Sequence, residues 1–424
     1  MFIIYDLIFL IFAILSLPVY LLKGKFHRGF LKRLGFLPAN LELDSPIWVH
    51  AVSVGEAMSV RSLIEGLRRL YPQKKIVIST VTATGNKIAQ GLAREGDFVT
   101  YLPLDLSFIT GYVIGRINPS LFIIAETEIW PNLISTLYRK KIPIFTINGR
   151  ISDLSFKGYS GIKFLIKPVL NKINLFCMQS ERDAQRLAAL GVPEEKIKVT
   201  GNIKFDVASF NLENMDSVKL RQKLNLGSKD NLFVCGSTHP GEEEIILGVY
   251  KDLLPEFPNL KLLFAPRHPQ RSTEAAKSIK DFGFEPVKIS LLDSGAKLSG
   301  DARRVFLLDT VGQLLSFYAI SSLVFVGGSL IKKGGHNIIE PASLEKPVLF
   351  GPYMFNFRDI AELFLASKAA IQVRNKEGLN ENIKELLNNP VQAQCLGMNA
   401  KKLVLNNLGS TEKSLSLINQ YAKI

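Results

Sequence analysis

From residue 47 onward, short apolar runs alternate with stretches whose apolar residues recur every three or four positions. The runs at 47–52, 76–81, 121–125, 142–147 and 175–179 have the length of buried strands. Between them lie patterns such as Val60, Leu63, Ile64, Leu67 and Leu70, which lay one apolar stripe along a helix. Strands separated by helices pair in parallel, and the helices cover both faces of the sheet. A polar stretch without strong periodicity spans 206–216, after which the series restarts at 232–235, 260–265, 305–308, 323–326, 348–350 and 370–373. Residues 389–423 read as closing helices. At about 100–200 residues per domain, 424 residues suit two to three domains. The expected division is 1–45, 46–210 and 211–424, the last two each an α/β domain.

The first 45 residues are of another kind. Residues 2–22 are almost continuously apolar, broken only by Tyr5, Asp6, Ser16, Pro18 and Tyr20. As a helix rising about 1.5 Å per residue, this run spans roughly 30 Å, the thickness of a hydrocarbon core. A cleavable signal peptide begins basic and ends in small residues. Here the order is reversed, with Lys23, Lys25, Arg28, Lys32 and Arg33 following the apolar run. That arrangement predicts one membrane anchor with the bulk of the chain on the cytoplasmic side, rather than a buried helix. Asp6, near the end of the span, is assigned no function. Phe26, Phe30, Leu31, Leu34 and Phe36 among the basic residues suit a helix lying on anionic headgroups. Basic residues outnumber acidic ones 52 to 38, and a net charge of +14 favours polyanionic partners: nucleic acid, an anionic membrane or phosphorylated small molecules. With 47% apolar and 21% charged residues, disordered and low-complexity chains are excluded. Cys177, Cys235 and Cys395 form no CxxC, which argues against a disulfide framework and a cysteine metal site.

Both α/β halves open alike. His50-Ala51-Val52-Ser53-Val54-Gly55-Glu56 and Cys235-Gly236-Ser237-Thr238-His239-Pro240-Gly241-Glu242 each read as strand, Gly-containing turn and helix start. Ligands of α/β sheets bind at such places, so two halves of this kind would face a cleft between their strand ends, as in many nucleotide-sugar glycosyltransferases. Taken alone, Glu56 is a helix-dipole residue worth roughly 0.3–1 kcal/mol, His50 a core histidine and Ser53 an N-cap. Glu126-Thr127-Glu128-Ile129-Trp130-Pro131-Asn132 sets two carboxylates at a strand end before a Pro-opened helix, more than capping needs. ExE without DxD or HxxxH argues against a metal site on the sequence pattern. In the second half, Arg267 and His268 end a strand between prolines, where a guanidinium grips a phosphate or carboxylate bidentately. Gly327-Gly328-Ser329 ends another strand, and Gly334-Gly335-His336-Asn337 precedes the helix of Glu340, which is placed to meet a ribose. Glycines allow backbone amides to approach a phosphate.

The strings HAVSVGE, ETEIWPNL, GSTHPGEE, APRHPQR, GGSLIKKGGHNIIEPA and GPYMFNF, in that order, closely resemble the 3-deoxy-D-manno-octulosonic acid (Kdo) transferases of lipopolysaccharide synthesis. The resemblance implies two Rossmann-like domains of the GT-B glycosyltransferase type behind an N-terminal anchor. It also implies transfer of Kdo from CMP-Kdo to a lipid A precursor at the cytoplasmic face of the inner membrane, with inversion, without metal or cofactor, and without a nucleic-acid partner. Carried over by motif, Glu56 becomes the general base, and Glu126 and Glu128 shape the acceptor side or the Kdo pocket. Arg267, His268, Gly327, Gly328, Ser329, Asn337 and Glu340 would hold the CMP moiety. The chain departs from the family at Val311 and Gln313, where DTMGEL is usual, and at Gly149, where NARxS is frequent. A sugar-nucleotide 2-epimerase of the same fold and a non-catalytic, membrane-tethered lipid-binding protein are the alternatives.

Overall fold

A computed structural model describes residues 5–11, 29–206, 216–296, 298, 303–422 and 424. The chain forms two compact units: the described residues up to 206 together with those from 407 onward, and the described residues 216–406.

The first unit is built on seven strands: β1 (Ile47–His50), β2 (Ile76–Thr80), β3 (Phe98–Tyr101), β4 (Leu121–Ala125), β5 (Ile144–Gly149), β6 (Leu175–Met178) and β7 (Ile197–Val199). They lie in the order β3-β2-β1-β4-β5-β6-β7, and every pair is parallel. Sequence order reverses between β1 and β4, so the loops after these two strands open on one crevice. β1, β2, β4, β5 and β6 are buried at every residue, as a sheet covered on both faces requires. Within it Trp48 meets Phe122 edge-on with ring centroids 4.9 Å apart and donates its indole N–H to Ser79 Oγ at 2.8 Å.

The expected boundary of a second domain at 211–424 is corrected at its far end. The last helix, Ser410–Ala422, returns to the first unit, and Leu415, Ile418 and Ala422 are buried there with Ile64 and Leu67. A Cβ on Gly66 would sit 2.1 Å from Leu415 Cδ1, so glycine lets the Leu415 side chain pack where it does. Asp206 fastens the return by accepting from the amides of Gly409 at 2.7 Å and Thr411 at 2.5 Å. The expected linker lies mostly outside the described residues.

Most of the expected anchor also lies outside them. Among the described residues no helix is long and apolar enough to cross a membrane. Residues 5–11 are helical, and Phe9 packs on the first unit's core. Asp6, which the sequence gives no role, holds this helix to the unit. Its carboxylate accepts from Ser107 N at 3.1 Å, Ser107 Oγ at 2.5 Å and Asn132 Nδ2 at 2.6 Å.

The second unit carries β8 (Asn231–Thr238), β9 (Leu260–Pro266), β10 (Glu285–Lys288), β11 (Arg304–Leu307), β12 (Leu323–Val326), β13 (Val348–Phe350) and β14 (Ile371–Gln372). Their order is β10-β11-β9-β8-β12-β13-β14, again wholly parallel. Here the order reverses between β8 and β12.

Candidate active site

The crevice of the first unit gathers the acidic residues that the sequence singles out. Ser53 caps the helix Val54–Ser59, its Oγ accepting from Glu56 N, while Glu56 Oε2 accepts from Val52 N at 2.7 Å. Ser53 Oγ also donates to Glu56 Oε1 at 2.9 Å. Glu56 is thus tied to the N-cap residue Ser53 and to the amide before it, so a role at the helix start is real. It is also more than a cap. Burial and then the charge of Glu126 push its carboxyl above the usual range, against the Val52 amide, Ser53 and Lys204, which pull it down.

Glu126 follows β4 with φ +58°, a left-handed conformation costly for a residue with a Cβ. Its amide donates to Ile147 O at 2.8 Å, and Oε1 accepts from Lys204 Nζ at 3.1 Å. Glu128 is pushed up to about 7 by burial and then by the charge of Glu56, with Glu126 adding to it and Trp130 opposing. The charge of Glu126 thus bears on both Glu56 and Glu128, and that of Glu56 on Glu128, so the three carboxylates form one electrostatic cluster. Burial, followed by Glu128, also raises the hydroxyl of Tyr159. His50 stays outside this group: fully buried, it bonds through Nδ1 to Ser79, and burial pushes it down to about 3.

In the second unit, β8 leads into a turn where Ser237 has φ +57° and Gly241 φ +86°, followed by the helix Glu242–Leu253. The buried Glu242 carboxylate accepts from the amides of Gly328 at 2.8 Å, Ser329 at 3.1 Å and Leu330 at 2.9 Å. Burial raises its pKa, and these three amides oppose the rise. The Gly-rich turn after β12 thus gives its amides to a protein carboxylate, where the sequence suggested that they meet a phosphate. Gly328 has φ +68°, and a Cβ there would lie 3.0 Å from the His336 ring. Glu243, also buried, accepts from Thr238 Oγ1 at 2.8 Å and from both terminal nitrogens of Arg271 at 3.3 and 3.1 Å.

Around this turn the loops after β8, β9 and β12 bring together nitrogen bases and cations. His239 and His336 approach Nε2 to Nε2 at 2.9 Å with their rings 8° from parallel. His268 lies edge-on to His239 with centroids 6.3 Å apart. Arg267 and His268 are exposed, and the Arg267 amide donates to Thr238 O at 3.0 Å, joining β9 to β8. Asn337 Nδ2 donates to Glu340 Oε1 at 3.1 Å. Burial raises Glu340, while Asn337 and the charge of Arg267 lower it.

The structure therefore sets Glu56, Glu126 and Glu128 in one cluster and Arg267, His268, Gly327, Gly328, Ser329, Asn337 and Glu340 around the second switch point. It adds Lys204, His239, Glu242, Arg271 and His336. Four of these stand within quoted motifs and had a signal there. Lys204 lies in an unremarked stretch before the linker, and only the fold brings it to Glu126.

Two doubly wound units in one chain, each with a polar cluster at its switch point, are the GT-B architecture. Two solved structures share it: the UDP-GlcNAc 2-epimerase of Neisseria meningitidis, at TM-score 0.58 and 14% identity over 88% of this chain and 99% of that one, and a glycosyltransferase of Rickettsia africae, at TM-score 0.55 and 15% identity over 90% and 99%. At such identities the likeness is one of fold alone. A family model for the 3-deoxy-D-manno-octulosonic-acid transferases matches residues 28–207. The Haemophilus influenzae 3-deoxy-D-manno-octulosonic acid transferase is 34% identical over 403 residues, 94% of this chain and 92% of that protein. The chain belongs to the Kdo transferase family and is a glycosyltransferase.

Proposed function

We propose that the chain moves Kdo from CMP-Kdo to a lipid A precursor, lipid IVA, in lipopolysaccharide synthesis at the cytoplasmic face of the inner membrane. The cluster of Glu56, Glu126 and Glu128 carries this reading. An acceptor hydroxyl must lose its proton as it attacks the sugar, and Glu56, raised by burial and by Glu126, is suited to take it. Glu126 and Glu128 line the acceptor or the Kdo ring. In the second unit Arg267, His268, Asn337 and Glu340 receive the CMP part, beside the turn Gly327-Gly328-Ser329 that Glu242 holds in place. As the bond from Kdo to phosphate breaks, its electron pair passes to a phosphate oxygen, and the surrounding cations offset that charge.

A membrane-borne acceptor is supported by the surface of the first unit. The helices Asp153–Gly161 and Lys163–Leu170 leave Leu154 82% and Phe164 75% exposed, with Ile162 and Leu165, among Lys157, Lys163 and Lys167. Apolar side chains set among lysines suit an anionic lipid surface. Tyr159 on the first of these helices feels the charge of Glu128, so the surface adjoins the acidic cluster. Incubation with CMP-Kdo and tetraacylated lipid IVA, followed by mass spectrometry, tests the reading. A product heavier by one or more Kdo units is expected. Unchanged acceptor, with the protein folded and CMP bound, would refute it.

A further inference from the structure

The turn after β12 spends three amides on Glu242, so these do not serve an anion at the second switch point, and the side chains around it come into play. The nearest include two imidazoles already bonded to one another, His239 and His336, at 2.9 Å. A hydrogen bond between two neutral imidazoles uses one Nε2–H as donor and one bare Nε2 as acceptor, leaving one ring with an unprotonated Nδ1. One added proton at that Nδ1 gives an imidazolium bonded to an imidazole, with an N–H on both outer edges. The pair is thus built to carry a single extra proton and to donate from both rings.

The charges around it set when that happens. Burial, and then Lys333, His268, Arg271 and Arg267, hold His239 down at about 4; burial, and then Arg267, His239 and His268, hold His336 down at about 3. The nearby carboxylates are committed elsewhere. Glu242 serves the amides, Glu243 serves Thr238 and Arg271, Glu244 serves Gly241 N and Ser278, Glu274 serves Arg271, and Glu340 serves Asn337. The surplus is cationic, and a bound phosphate would offset it at once.

We propose that the His239–His336 pair takes up a proton when the donor phosphate binds, so that donor binding and protonation of this pair reinforce each other. The inference rests on the second switch point being the donor site. By linkage, the ligand raises the proton affinity of the pair by the factor by which the proton raises ligand affinity. Donor affinity then increases as pH falls toward 6, and the departing phosphate meets an imidazolium in place of a neutral ring.

The methyl ester of CMP is a suitable probe, because its phosphodiester, like that of the donor, has no second proton to gain or lose near neutrality. Titration calorimetry of the full chain at pH 6, in buffers of different ionisation enthalpy, should show between about 0.3 and 1 proton taken up per ester bound. Binding should tighten measurably between pH 8 and pH 6. His239→Gln and His336→Gln should each bind the ester with a buffer-independent enthalpy. The chain has five histidines, so ring nitrogen shifts of the unmodified protein locate the proton even where a variant fails to fold. On ester addition, one of His239 and His336 should move to the imidazolium range. Ester binding without uptake, uptake that survives both glutamine variants, or unchanged ring shifts would overturn the proposal and leave the donor site in place. No ester binding at all would overturn the donor assignment itself.

Discussion

Lys204 Nζ lies 3.1 Å from Glu126 Oε1, the one ion pair within the acidic cluster among the described residues. With the side chains 21% and 23% exposed, the pair is partly screened, yet Lys204 still pulls Glu56 downward. Lys204→Met should therefore raise the Glu56 carboxyl further. A base works only when deprotonated, so the acid limb of the pH–rate profile should move upward by about one pH unit. Transfer rates measured from pH 5 to 9 check this, and an unmoved limb would remove Lys204 from the site.

Glu128, pushed up to about 7 from 4.5, opposes folding once it ionises. Between these two values the folded state binds more protons than the unfolded chain, so its contribution to stability falls as pH rises through that window. Glu128→Gln should raise the unfolding free energy at pH 8 by on the order of 1–3 kcal/mol and change it little at pH 4. Thermal melts at the two pH values decide the matter, and equal effects would contradict it.

Glu242→Ala would strand the buried amides of Gly328 and Ser329 and the partly buried amide of Leu330. Unfolding free energy should drop by about 2–5 kcal/mol, since buried donors without partners cost more than a bond is worth. Glu242→Gln, which can serve fewer of them, should fall between. CMP affinity should decline along the same series, measurable by titration below the melting temperature.

Asp6 joins the N-terminal helix to Ser107 and Asn132. Asp6→Ala should cost about 1–3 kcal/mol of stability, the scale of charge-assisted hydrogen bonds, and denaturant titration measures it. A free side chain serving only the membrane interface would cost nothing in detergent.

Much of the architecture was legible because β1, β4, β8 and β12 are continuous apolar runs ending in glycine or polar turns. β3, β7 and β10 lie toward the sheet edges, and their runs are short or mixed, as in Glu285-Pro286-Val287-Lys288, so periodicity marks them poorly. The return of Ser410–Ala422 to the first unit is a tertiary choice made by Asp206, Gly66 and Leu415, residues far apart in sequence. Of the site, the acidic cluster was legible as motifs at strand ends. The use of the loop amides by Glu242 was not, because a Gly-rich turn looks the same in sequence whether it faces a phosphate or a carboxylate.

In the proposed reaction Glu56 removes the acceptor proton. Glu56→Gln keeps the size and can still accept from Val52 N, so the fold and CMP affinity should be preserved, with at most about 1 kcal/mol lost from the helix cap. Turnover from CMP-Kdo to lipid IVA, measured on enzyme matched for melting temperature, should fall by about 10²–10⁴. Near-normal turnover by the variant would leave Glu56 a capping residue and contradict the assignment.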